Sequence, residues 1–587
     1  MAVNKSSKTT FRNFTGWIEA RFIWILGAVT LVTLVVFRDH HSSTLESTTT
    51  QARARELARM HHHRSFAPDT PSPHTQLERP SHIQRMPTLS SDLQGFSSLS
   101  PTAFALEGIE NPIENQTDST SNSTLSSFWD LFEDQKRMDK MVLEASSNNS
   151  VIRRRRPRSS RRRPVVEPLR WKIAAKVVGS RKAAFVSQAG TKDALSYNHM
   201  AMVEVLPGGH MMTVWQGSVE GEGNKDQHLQ YAFSVDPTGR EWTAAKSIKW
   251  TQGPDAFNGE TPRWSPVLQW VGEDGSTTVS HNADARGVVQ LIYTQSTKQC
   301  RAPGGDIKMM TMSWPSKNWS MPYTIYSFEE EAKVPGINKV LANRLAVLSN
   351  GLFVLPYWRE KGRSCPNVDD ELAGKAGVLV SPDQGRTWKG FGEVSAMPKT
   401  WLIEQTVVEV DDGELVMLCR TQADFIYRVD SHDYGRTWGS PKPLKSMPNP
   451  NAKIAAIGLT TPITPPPGME SAPKCILLAH NDHKLLPQAL TRVRTMLTLS
   501  ASCNEEHTTW ERILTIESSK VPGLRHHYPT LVQLPEFASP KHLRVILVYS
   551  TFFMKKFKKT ESEGIKAIAV DLSFDAVANP SPPPQDI

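Results

Sequence analysis

Several segments of this 587-residue chain set reactive side chains against apolar, strand-like runs. "IEQTVVEVDDGELVMLCRT" (403–421) carries Glu404 and Arg420, and "HHYPTL" (526–531) carries Tyr528. "RVRTMLTLSAS" (492–502) carries Arg494, with Arg492 as an alternative, and "NKDQHLQYAFS" (224–234) carries Asp226. Arg263 in "TPRWSPVL" and Arg344 in "NRLAVL" also open apolar runs, and "SYNHMAMVEV" offers Asn198 or His199 at the same kind of place. Guanidinium groups hold carboxylates bidentately and keep their charge. A carboxylate beside a phenol or a leaving group can move protons. The set therefore suits the binding and turnover of an anion, provided the fold gathers these distant segments. The five cysteines have no metal-ligand spacing, and no metal or cofactor motif is visible.

The elements that must do the gathering are repeated. "SPDQGRTWKG" (381–390) returns fifty residues later as "SHDYGRTWGS" (431–440). Worn versions are "SVDPTGREW" (234–242), "SWPSKNW" (313–319) and "SCNEEHTTW" (502–510). In the clean copies Asp383 can accept backbone N–H bonds within its own turn, Gly385 permits a positive φ, and Trp388 packs between sheets. Between these turns a hairpin pattern occurs six times, over 201–217, 266–296, 344–360, 406–422, 458–482 and 529–551. One small sheet cannot bury both faces, and six arranged radially can. The expectation is an all-β, six-bladed propeller over 169–578. The strand-like segments 171–178 and 565–574, at opposite ends of that range, are expected to close the ring.

Upstream the composition differs. Sixteen uncharged residues run from Phe22 to Phe37, preceded by Lys5, Lys8, Arg12 and Arg21. The charge bias reads as a type II signal anchor over 22–38, with a cytosolic tail over 1–21 and the remainder lumenal or extracellular, in the Golgi or plasma membrane. Residues 39–168 are rich in Ser, Thr, Pro, Arg and His and read as a disordered stem. Sequons at Asn115, Asn122, Asn148 and Asn318 suit a glycoprotein on that side of the membrane. Residues 579–587 form a Pro-rich tail. The formal net charge is +9, and eight of those charges lie in "RRRRPRSSRRR" (153–163), so the rest is close to neutral and no nucleic-acid partner is implied. One cysteine pair, such as Cys300 with Cys365, can bridge in an oxidising compartment, and Cys419 is expected to be buried and inert.

The repeated S-x-D-x-G-x-T-W turn resembles the Asp box of the BNR sialidases and sialidase-like proteins, over residues 171 to 575. The resemblance implies glycosidase activity that removes a terminal acidic sugar from a glycan. It makes Tyr528 the nucleophile, Glu404 its base partner and Asp226 the acid/base. A neutral phenol activated by Glu is not repelled by the substrate carboxylate. The same likeness makes Arg420 and Arg494 carboxylate-binding groups. The family's first arginine is replaced here by His199 or Asn198, with Arg263 and Arg344 as the available substitutes. A propeller acting on a uronic-acid glycan, or a non-catalytic propeller binding glycan or protein, are the alternatives.

Overall fold

The computed structural model describes residues 169–578 apart from 180–181, 190–194, 249–260, 298–302, 329–337, 361–369, 461–471, 473, 485–493, 522, 540 and 556–558. The anchor, the stem, the arginine run, the Pro-rich tail, Arg492, Cys300 and Cys365 all lie outside the described residues. Among the described residues no helix is long and apolar enough to cross a membrane.

Six antiparallel sheets succeed one another along the chain and form a six-bladed β-propeller. Blades one to five are laid down from the axis outwards in chain order. Their inner strands are Tyr197–Val205, Arg263–Gly272, the pair Asn338–Leu341 and Ala346–Val347, Ile403–Asp411, and Ala455–Leu459. Blade six begins with Leu524–Ser539, continues through His542–Lys555 and Lys559–Ala578, and is completed by Leu169–Val177 from the other end of the chain. That last pairing runs from Leu169 against Ala578 to Val177 against Val570. The ring therefore closes by hydrogen bonds between sequence extremes, as the two terminal strand-like segments suggest.

Each blade is covered on both faces by its neighbours, so its first two strands are largely buried on both faces rather than alternating. Met211–Ser218 is buried at every residue, and Trp215 has no exposed surface. Outer strands meet solvent, and Lys442–Pro448 is mostly exposed. The cores lie between blades. One joins Met212, Leu268, Leu291 and Leu355 of blades one to three, another joins Val203 and Trp215 to Val532 and Ile546 across the closure.

The two clean turns are superimposable in their bonding. Asp383 Oδ1 accepts from the Thr387 N–H at 2.8 Å and Oδ2 from its hydroxyl at 2.7 Å. Asp433 does the same with Thr437, at 2.8 and 2.6 Å. Gly385 and Gly435 have φ of 89° and 84°. Their carbonyls accept from the Trp388 and Trp438 indoles, each at 2.9 Å. The worn copies keep part of this. Asn504 stands in for the Asp and accepts from Thr509 through both its N–H and its hydroxyl.

Candidate active site

The inner strands begin three to six residues upstream of the apolar runs that the sequence marks. In four blades one device accompanies this. In blades one, two, four and six, two residues of the inner strand face a single residue of the next strand, a β-bulge. The first bulged residue is left-handed each time: Met200 (φ 53°), Ser265 (54°), Glu404 (47°) and Tyr528 (56°). A side chain in this conformation costs roughly 1–2 kcal/mol. The bulge resets the alternation and turns these four side chains toward the mouth of the central funnel. Blade three breaks its inner strand instead, and Asn343 in the break donates to the Glu404 and Gln405 carbonyls at 2.8 and 3.1 Å.

Equivalent positions in blades four and six thus bring Glu404 and Tyr528 together. The Tyr528 hydroxyl donates to Glu404 Oε1 at 2.7 Å. The guanidinium of Arg420, which ends the strand paired with Ile403, donates to the other Glu404 oxygen and to the Tyr528 oxygen, the latter at 2.9 Å. Glu404, Tyr528 and Arg420 are buried, at 4%, 8% and 5% exposure respectively. Asn451 fixes the second cation. Its Oδ1 accepts from Arg420 Nε at 2.8 Å, and its carbonyl accepts from Arg494 at 2.7 Å. Arg494 also donates to His527 Nδ1 at 2.8 Å. Since arginine cannot accept, His527 carries its proton on Nε2.

The electrostatics follow from burial beside fixed charges. Burial and the Glu404 charge hold the Tyr528 phenol above its ordinary range, against Arg420 and Arg494, so at rest it is a neutral phenol bonded to a carboxylate. Burial disfavours the Arg420 charge, but Glu404 and Tyr528 more than offset this. His199 lies against the Tyr528 ring, with centroids 4.1 Å apart, and its Nδ1 is 3.0 Å from Ser550 Oγ. Burial, then Arg494, Lys453 and Arg420, drive its pKa well below 6.5. It is therefore a neutral ring packed under the phenol at neutral pH, and it supplies no cation where the resembled family has arginine.

The remaining sequence candidates are more scattered. Arg263 is buried at 1% exposure at the start of blade two's inner strand. Arg344 donates to the Val203 carbonyl and pairs with Glu204 at 2.8 Å, further down the inner strands. The Asp226 carboxylate accepts from the Val219 N–H at 2.6 Å and closes its own loop.

Three residues that sequence reasoning passed over also belong to the site. Lys453, at 1% exposure, donates to the Pro529 carbonyl at 2.6 Å and is pushed down to about 7 by burial, with Glu404 opposing. Asn451 holds both arginines. The only sequence signal for this pair is two polar residues ahead of blade five's apolar run. Glu222 shares the Asp226 loop, and Tyr197, Glu404, Glu360 and Arg494 all act on its carboxyl. Residue type alone does not choose between two carboxylates four positions apart. Among the described residues no three His, Cys, Asp or Glu side chains are grouped to hold a metal ion. The one disulfide among them joins Cys475 to Cys503, neighbours across blade five, and Cys419 is a buried free thiol.

Asp-box turns on one face and a polar funnel on the axis define a six-bladed propeller of the BNR-repeat class. The BNR repeat-like domain family model matches residues 209–539, more than half of the sequence, and the chain belongs to that family. No curated protein matches it. Similar solved structures include the NanB sialidase of Streptococcus pneumoniae, at 11% identity and a TM-score of 0.45 over 66% of this chain and 70% of that one. A Hadza microbial sialidase shares 15% identity, with a TM-score of 0.46 over 68% of each chain. The intramolecular trans-sialidase of Ruminococcus gnavus shares 13%, with a TM-score of 0.45 over 67% of this chain and 98% of that one.

Proposed function

We propose that the propeller is a glycoside hydrolase of sialidase type that removes a terminal acidic sugar from a glycan. The observation that carries this reading is the Tyr528–Glu404–Arg420 cluster. A phenol, a carboxylate and a guanidinium from two blades share hydrogen bonds at one buried point. In the reaction the Tyr528 oxygen attacks the anomeric carbon while its proton passes to Glu404. A carboxyl on the funnel wall protonates the departing oxygen, and water later reverses these transfers to release the sugar. Arg420 steadies the phenolic oxygen as it loses its proton, and Arg420 and Arg494 attract the substrate carboxylate. With His199 neutral, this carboxylate site holds two arginines in place of the family's three, with Arg263 nearby in blade two. Upstream of the propeller, an N-terminal anchor and stem would tether it on the lumenal or extracellular side of a membrane.

The test is turnover of a fluorogenic sialoside and the matching glucuronide by the full chain, beside Tyr528→Phe. Sialoside turnover is expected, falling on the order of 10³-fold or more in the variant. Equal rates for the two proteins would remove Tyr528 from the reaction. Turnover of the glucuronide alone would move the substrate to uronic acids, and turnover of neither would leave a binding propeller.

A further inference from the structure

Two carboxylates compete for the role of proton donor, Asp226 and Glu222, and both lie in the loop that follows blade one's second strand. This loop is tightly self-bonded. The Gly221 N–H donates to Ser218 Oγ at 2.9 Å, and the Gly223 N–H donates to Gln227 Oε1 at 2.9 Å. Gln227 in turn donates through Nε2 to the Arg263 carbonyl at 2.8 Å, which fastens the loop to blade two. Asp226 is part of this fastening, through its 2.6 Å bond from the Val219 N–H. That bond ties Oδ2 of Asp226 to the loop's own backbone.

Glu222 is placed differently. It is exposed at the loop's crest between Gly221 and the left-handed Gly223, and a Cβ at Gly223 would come 3.1 Å from the Trp264 ring. Its Oε1 lies 3.5 Å from Gln216 Nε2, and the Tyr197 hydroxyl faces the same carboxyl. Gln216 itself accepts from the Ser265 N–H at 3.1 Å, so this wall is anchored to blade two's bulge. Gln216 pairs with His199 across the strands and His199 lies against the Tyr528 ring, which puts the Glu222 carboxyl on the funnel side, where the Glu404 and Arg494 charges act on it.

We propose that Glu222, not Asp226, protonates the leaving oxygen and later deprotonates the attacking water; this rests on the glycosidase reading above. In the first step the Glu222 carboxyl gives its proton to the glycosidic oxygen as the bond to the anomeric carbon breaks. That carbon bonds to the Tyr528 oxygen, whose own proton goes to Glu404. In the second step water gives a proton to the Glu222 carboxylate and its oxygen to the anomeric carbon. The Tyr528 oxygen departs and recovers its proton from Glu404, so every group ends as it began. The surroundings divide the two glutamates. Glu404 is ion-paired with Arg420, whereas Glu222, exposed as a residue, sets its carboxyl end against Gln216 and Tyr197, where desolvation raises it, opposed by the Tyr197 hydroxyl and Arg494 and assisted by the Glu404 and Glu360 charges.

The experiment compares Glu222→Gln and Asp226→Asn in the full chain, with an activated aryl glycoside and with an oligosaccharide whose alcohol is a poor leaving group. Loss of a general acid falls mainly on the poor leaving group. Glu222→Gln should lose about 10²–10⁴-fold there and much less on the aryl glycoside, and its rate should lose the alkaline limb of the pH profile. Azide should restore aryl-glycoside turnover to Glu222→Ala, which a structural role would not allow. Asp226→Asn should stay within a few-fold on both substrates with its pH profile intact. If Asp226→Asn shows the leaving-group dependence and Glu222→Gln does not, the assignment is overturned while the glycosidase reading stands. If the unsubstituted chain turns over neither glycoside, both fall. Thermal unfolding of each variant shows whether a lost rate reflects a lost fold.

Discussion

The two faces of the propeller use carboxylates in opposite ways. In the Asp-box turns Asp383 and Asp433 bond residues four positions away, in duplicate, near solvent. At the funnel mouth Glu404 bonds Tyr528, which is 124 residues distant, and among the described residues no other blade repeats the pair. Turns that satisfy themselves locally are interchangeable and can decay, as Asn504 does in place of Asp. The funnel cluster is a single buried network in which each member leaves another unsatisfied when removed. Repetition here marks local structure, and the unrepeated contact joins distant blades.

The largest expected effect tests that contrast. Glu404→Ala strands the Arg420 guanidinium in a buried site and should cost about 3–5 kcal/mol of unfolding free energy. Asp383→Ala removes bonds at the rim of one turn, where water can replace them, and should cost about 1–2 kcal/mol. Asp433→Ala, in the next blade, should cost a similar amount. The double turn variant should be close to additive, because the two turns share no partners. Denaturant unfolding of the four variants checks this. A turn variant as damaging as Glu404→Ala would show that the turns act as one unit with the blades.

The same contrast governs what was legible. The Asp boxes are local, so their eight residues announce both the motif and its bonds, and the six hairpins follow from apolar runs. In four blades the inner strands extend beyond the apolar runs because a bulge with a left-handed residue interrupts the pattern. Glu404 and Tyr528 were therefore accessible only through family likeness to "E-x-x-V-V-E" and "Y-P-x-L". Lys453, Asn451 and Glu222 carry no local signature. Their roles depend on which side chains from other blades come to meet them, and a single sequence does not encode that in any short window. In the Asp226 segment only the folded loop shows that Asp226 accepts from the Val219 backbone, while Glu222 stands beside Gln216.

Acid should separate the two faces again, with a smaller effect. His199 and His527 at the funnel are held well below 6.5, and His526 and His480 are pushed down to about 4, chiefly by burial. A histidine with a depressed folded pKa leaves the unfolded chain binding more protons below 6.5. Its stabilisation is complete above 6.5 and is lost as the pH falls, by about 1.4 kcal/mol per pH unit for each such histidine. Asp236, in the first turn, is partly desolvated, but bonds from Thr238, Glu241 and Arg240 bring it below its ordinary value. Its contribution is lost only as the pH drops beneath about 3.9. Stability measured from pH 7 to 4.5 should therefore fall steeply. His199→Phe should flatten the slope by about one proton, and Asp236→Asn should leave it unchanged in this window.

The smallest effect isolates the backbone from the side chain. Ser265 and Glu404 occupy the same bulge position in blades two and four, with nearly equal φ of 54° and 47°. The Ser265 hydroxyl reaches only Met200 Sδ, at 3.7 Å, while its N–H bond to Gln216 needs no side chain. Ser265→Gly relieves the left-handed strain of roughly 1–2 kcal/mol and gives back about 0.5–1 kcal/mol through a more flexible unfolded chain. The net expectation is a stabilisation of between zero and about 1.5 kcal/mol, seen as a rise of a few degrees at most in Tm. Glu404→Gly, at the equivalent place, should still lose about 3–5 kcal/mol, because the stranded Arg420 outweighs any relief of strain. Two glycines at one backbone position moving stability in opposite directions would assign the bulge the task of aiming side chains and leave the cohesion of the site to the charges it aims. If Ser265→Gly were as costly as Glu404→Gly, the bulge geometry would itself be what holds the funnel, and the ion pair would lose its claim.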